Sequence, residues 1–102
     1  MNEVQSKVDS FVKKYKLESP IETKYIDLVS EIGELGKEII EGTNYGNTPF
    51  EKTENLEYEL GDAFFSLICL ANKLDYDLND ALDKVLDKYN KRFLNKGNIG
   101  SK

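Results

Sequence analysis

Histidine and tryptophan are absent from these 102 residues, cysteine and methionine occur once each, and proline twice. Without histidine there is no Ser/His/Asp or Cys/His nucleophile, no His-based zinc site and no Glu-x-x-His di-iron motif. The single Cys69 cannot close an intramolecular disulfide, and inside an apolar run it is expected to act as a small buried hydrophobe. No apolar stretch reaches the ~18 residues of a membrane span, so no membrane partner is expected. The N-terminal MNEVQSKVDSF lacks the apolar core of a signal peptide, which points to a cytoplasmic chain. Positive charge is also short: 14 Lys and Arg stand against 19 Asp and Glu, a net charge of −5. That balance argues against a nucleic-acid polymer as partner. A nucleotide remains possible where a cation bridges carboxylate and phosphate. The chemistry left to this chain uses carboxylates, amines, hydroxyls and a hard metal.

What is present is charge and helical periodicity. With 32% charged and 39% apolar residues, the chain reads as one all-α domain over residues 1–95, followed by a frayed tail at 96–102. A core of this size is small, so a homo-oligomer is expected.

Four helical segments are predicted. The first spans Asn2 to Lys16, with Val4, Val8, Phe11, Val12 and Tyr15 at helical spacing. Ser19-Pro20-Ile21-Glu22 reads as a capping box with proline at the first helical position, and that helix runs to Glu41 with Gly42 as its stop. Thr48-Pro49-Phe50-Glu51 repeats the start signal for a third helix ending at Leu74, and Asp77 opens a fourth that ends at Asn95. Short connections predict a bundle of antiparallel neighbours. Phe11, Tyr15 and Tyr25 continue apolar faces and are expected in the core.

The third helix raises the functional question. Leu56, Leu60, Ala63, Phe64, Leu67, Ala71 and Leu74 form one stripe, while Phe65, Ile68, Cys69 and Leu70 spread apolar character around the rest. Such a helix is expected inside, yet it carries Glu59 and Asp62, three residues apart. A shielded carboxylate must be paired, protonated or bound to a cation. The second helix has Ile21, Tyr25, Leu28, Ile32, Leu35 and Ile39 as its apolar face, and beside that face run Asp27, Glu31, Glu34 and Glu38. If the two helices form a hairpin, Glu31 and Glu34 can face Glu59 and Asp62. Four carboxylates with no nitrogen or sulfur donor suit Mg²⁺ or Mn²⁺.

Glu31-Ile-Gly-Glu34 is an E-x-x-E motif and Glu59-Leu-Gly-Asp62 an E-x-x-D motif on successive helices. Together with EIGELGKEI, ELGDAFFSLICLANKLDYDLNDAL and Lys88-Tyr-Asn-Lys-Arg-Phe93, they make residues 20–93 resemble the MazG-like all-α nucleoside triphosphate pyrophosphohydrolase superfamily. The resemblance implies a four-helix-type fold that assembles as a homodimer or dimer of dimers. It implies an Mg²⁺-dependent enzyme, with Mn²⁺ able to substitute, that converts an NTP or dNTP to the monophosphate and pyrophosphate and so cleanses the nucleotide pool. Carried across, the metal ligands are Glu31, Glu34, Glu59 and Asp62. Either Glu31 or Glu34 takes the proton of the attacking water, and Glu38 is an extra or supporting ligand. Lys84, Lys88 and Arg92 share one face of the fourth helix and are expected to hold phosphate. Tyr45, Phe50 and Asn90 are the candidate base or sugar contacts. The chain departs from many members in having Tyr58 where another acid precedes Glu59. The alternative within the same fold is a catalytically silent nucleotide-binding or regulatory module.

Overall fold

The structure, a computed structural model, describes residues 1–96, leaving aside the side chain of Lys96. The expected tail from residue 97 lies outside the described residues, and Lys96 itself closes the last helix. The helices are α1 (Glu3–Lys14), α2 (Ile21–Gly42), α3 (Leu56–Lys73) and α4 (Leu78–Lys96). Among the described residues there is no strand, as an all-α reading requires.

Helix starts follow the sequence signals in two cases of four. The Asn2 side chain accepts from the Gln5 N–H at 2.8 Å to cap α1. Asp77 likewise accepts from the Asp80 N–H at 3.1 Å, at the start of α4. At α2, Pro20 rather than Ser19 is the N-cap; its ψ of 162° is extended, and no side chain caps the helix. At α3 the difference is larger. Residues 48–55 are not helical, and two of their N–H groups bond to the end of α2 instead. The Thr48 N–H donates to the Thr43 carbonyl, and that of Glu51 to Gly42.

The helix stops depend on residues other than glycine. α1, α2 and α3 each end in paired bonds onto the last turn, closed by a left-handed residue: Lys16 (φ 55°), Asn44 (φ 48°) and Asp75 (φ 59°). These are Schellman closures. Gly42, expected as the stop of α2, is instead its last helical residue. Its missing side chain has a different use, since a Cβ there would lie 2.6 Å from the Phe50 ring and 2.7 Å from the Glu51 carbonyl.

Extended packing joins α2 to α3 and α1 to α3. α2 and α3 form an antiparallel hairpin, and α1 packs against α3. Gln5, 1% exposed, ties α1 to the turn after α3. Its amide donates to Asn72 Oδ1 and to the Tyr76 carbonyl, both at 2.8 Å, while its oxygen accepts from the Leu78 N–H at 2.6 Å.

The core within one chain is thin: Val12, Ala63, Ile68, Cys69 and Ala71 are its buried apolar residues. Most of the stripe expected inside is exposed, including Ile21, Ile32 and Ile39 on α2 and Leu60, Phe64, Leu67 and Leu74 on α3. Phe11, Tyr15 and Tyr25 are exposed as well, although the Phe11 ring meets Phe65 edge-on at 6.0 Å. The radius of gyration is 16.9 Å, against ~13 Å for a compact domain of this length.

Candidate metal centre

The α2–α3 hairpin has a readable register. Near the connecting loop, Glu38 meets Asn55, whose Nδ2 donates to Glu38 Oε1 at 3.3 Å. Further along, Glu31 meets Asp62. At the far end, Asp27 and Lys24 share a cavity with Ser66 and Cys69. Helical periodicity turns these rungs toward one another.

Glu31, Glu59 and Asp62 each bring one carboxylate oxygen within 4.8 Å of the others. Glu31 and Glu59 are half-buried and Asp62 is exposed. The expectation of partly shielded acids in α3 therefore holds for Glu59 and is corrected for Asp62, which is exposed in the single chain. Its neighbours are other acids. Desolvation pushes the Glu31 carboxyl up, and the carboxylates of Asp62, Glu59, Glu34 and Asp27 push it further. The four charges acting most strongly on Glu31 are all negative. An all-oxygen, self-repelling set of this kind suits a hard divalent cation.

Two polar residues not expected from sequence brace the cluster. Thr53 Oγ1 donates to Glu38 Oε2 at 2.6 Å, and Asn55 Nδ2 donates also to Glu59 Oε1 at 2.9 Å. Glu38 is thereby held by side chains beside the three acids. Nothing in the sequence marks Thr53 or Asn55 except that both are polar and precede an acidic motif.

The other candidates lie apart. Glu34 is exposed and is not one of the three converging acids, though its charge reaches Glu31. Lys84, Lys88, Asn90 and Arg92 are on α4, which makes no extended packing with α2 or α3. Lys88 sits with its ammonium 5.0 Å from the Tyr89 ring centroid. Tyr45, at φ 57°, is exposed in the hairpin loop, and Phe50 covers Gly42 at the end of α2.

The MazG nucleotide pyrophosphohydrolase domain family matches residues 19–95, which include both acidic motifs. The chain belongs to the MazG family. Among curated proteins it is 38% identical over 97 residues to the uncharacterized protein YpjD of Bacillus subtilis (strain 168), covering 90% of this chain and 85% of that one. The crystal structure of YpjD superposes with a TM-score of 0.72 over 90% of this chain and 94% of YpjD. A Bacillus-conserved MazG protein described as a nucleotide pyrophosphohydrolase superposes with a TM-score of 0.70 at 32% identity, covering 84% of each chain. MazG membership makes this chain a hydrolase acting on nucleotides. The family's enzymes use divalent metals, in keeping with the acids gathered here. Among the described residues no helix is long and apolar enough to cross a membrane.

Proposed function

We propose that the chain hydrolyses a nucleoside triphosphate, NTP or dNTP, to the monophosphate and pyrophosphate with Mg²⁺, and that its role is cleansing of the nucleotide pool. The convergence of Glu31, Glu59 and Asp62 within 4.8 Å on a MazG hairpin carries this reading. These three would hold the metal, which when bound would supply charge neutralisation for the phosphates. Glu34, one turn from Glu31 and outside the converging set, accepts a proton from water. The water oxygen bonds to the α-phosphorus, the bond from that phosphorus to the bridging oxygen breaks, and pyrophosphate leaves with the electron pair. Thr53 and Asn55 keep Glu38 and Glu59 from swinging away. Lys84, Lys88 and Arg92 bind the departing pyrophosphate.

The active unit in this reading is a homodimer or dimer of dimers. The accessible surface is 7972 Å², roughly 2,000 Å² more than the ~5,900 Å² typical of a folded monomer of this mass. Exposed Ile32, Ile39, Phe64 and Leu67 supply apolar area for a second copy. α4 makes no extended packing with α2 or α3, and in this reading its cation stripe reaches an acid cluster through assembly.

The test is a panel of NTPs and dNTPs with Mg²⁺, products resolved by chromatography, with Glu59→Gln as control. Monophosphate plus pyrophosphate, abolished by the substitution, is the expected result. Nucleotide binding without turnover of any triphosphate would instead favour a silent binding module.

A further inference from the structure

Asn55 stands at the head of α3, where a short polar side chain ordinarily turns back to accept from the N–H groups of the first turn. It does not do so here. Its backbone is already helical, with φ −88° and ψ −9°, and no side chain caps α3. The Asn55 amide is turned to two carboxylates instead. Nδ2 donates to Glu59 Oε1 at 2.9 Å, one turn along α3, and to Glu38 Oε1 at 3.3 Å, across the hairpin on α2. An amide nitrogen carries two hydrogens, so both carboxylates can be met at once. Capping stabilises a helix, and this one forgoes it.

Glu38 and Glu59 are both half-buried, but they stand differently toward the acid cluster. Glu59 is one of the three residues whose oxygens converge, and Glu38 is not. Both oxygens of Glu38 are already taken by neutral donors: Thr53 Oγ1 meets Oε2 at 2.6 Å and Asn55 meets Oε1. The bonds form a chain, Thr53 to Glu38 to Asn55 to Glu59, that crosses from the loop to α2 and back to α3.

We propose that Asn55 is a positioning residue for the metal centre, and that Glu38 acts through Asn55 rather than on the cation. The proposal rests on the metal reading above and deepens it. An unrestrained glutamate samples several rotamers. Beside Glu31 and Asp62, like-charge repulsion favours those that carry Glu59 away. A donor on Oε1 selects the rotamer that keeps it with the other two. That donor is neutral, so it restrains the carboxylate without cancelling the charge that attracts a divalent ion. A lysine in its place would compete with the ion. Asn55 is itself exposed and needs an anchor, which Glu38 supplies and Thr53 fixes.

The test measures Mn²⁺ binding to the full chain by electron paramagnetic resonance, without nucleotide. Loss of an outer hydrogen bond to a metal ligand weakens affinity about 10–100-fold. Asn55→Ala is expected to raise the Mn²⁺ Kd by about tenfold or more. Thr53→Val, which changes no charge, should raise it by less. Glu38→Gln and Glu38→Ala remove the same charge, but only glutamine keeps an oxygen that can accept from Asn55. Glu38→Gln should therefore bind Mn²⁺ more tightly than Glu38→Ala, and the gap should close when Asn55→Ala is added. Equal losses in the two Glu38 variants, or a gap that persists without Asn55, would overturn the assignment of Glu38. Wild-type affinity in Asn55→Ala and Thr53→Val would overturn that of Asn55, even if the metal-free denaturation midpoint fell, since a merely structural role moves only the midpoint. If the wild type binds no Mn²⁺, the metal reading fails and this proposal with it. If the wild type binds and the variants match it, this proposal fails alone.

Discussion

Lys16 holds a left-handed backbone at φ 55° where glycine would sit without steric cost. The penalty for a side chain in that region is ~1–2 kcal/mol, partly offset by the greater freedom of glycine in the unfolded chain. Lys16→Gly is therefore expected to stabilise the fold by about 0.5–1 kcal/mol, read as a raised midpoint in chemical denaturation. Glu31 makes a pH prediction. Its folded carboxyl titrates above the ordinary carboxylate value. Just above that value the folded state therefore binds more protons than the unfolded one, and stability falls as pH rises. Metal-free protein should lose stability from mildly acid to neutral pH through this group, and Glu31→Gln should flatten that part of the profile. A divalent ion should restore stability at neutral pH, by about 2.7 kcal/mol at a hundred times its Kd, and the gain should shrink in Glu31→Gln. A Glu31→Gln profile unchanged from wild type would contradict the origin assigned to the shift.

Among the elements, the junction of α1, α3 and α4 turns on Gln5. Replacing it by Leu keeps the bulk but strips partners from the Leu78 N–H, the Tyr76 carbonyl and Asn72. An unmet buried group costs ~1–3 kcal/mol, so thermal unfolding of Gln5→Leu should drop by several degrees, at about 4–8 °C per kcal/mol for a domain this size. The junction was hidden in the sequence, where Gln5 is one polar residue on an amphipathic helix. Helix number, order and approximate ends were legible because caps and periodicity are local. The start of α3 was not. Thr48-Pro49-Phe50-Glu51 has the pattern of a capping box, but Phe50 is taken up by Gly42 and the Glu51 N–H by its carbonyl. Gly42 was read as a stop for the same reason: its role is to admit the Phe50 ring and the Glu51 backbone as the chain folds back beyond the loop. Glu31, Glu59 and Asp62 could be paired from spacing alone once a hairpin was assumed. Thr53 and Asn55 could not, since a threonine or an asparagine beside an apolar face ordinarily reads as solvated.

At the scale of the molecule, the apolar faces of α2 and α3 were read as inward-facing, and most of their large residues instead meet solvent. Sequence periodicity shows which face is apolar but not whether the same chain covers it. An assembly that brings α4 to another subunit's acids has a direct check. Glu59→Gln protein and a Lys88→Ala, Arg92→Ala double variant should each be inactive, and subunit exchange between them should restore triphosphate hydrolysis. If mixtures that demonstrably exchange remain inactive, the cations and acids act within one chain.

The hairpin rungs also determine where this chain tolerates changes in length. Glu38 with Asn55, Glu31 with Asp62 and Lys24 with Cys69 are matched along α2 and α3, whereas Gly46 at φ 87° stands in open space in the connecting loop. A residue inserted beside Gly46 leaves every rung in step. The same insertion between Glu31 and Glu38 rotates one end of α2 by about 100° relative to the other, parting Glu38 from Thr53 and Asn55 or Glu31 from Asp62. Divergent copies of this gene should accumulate gaps in the loop and almost none between the rungs.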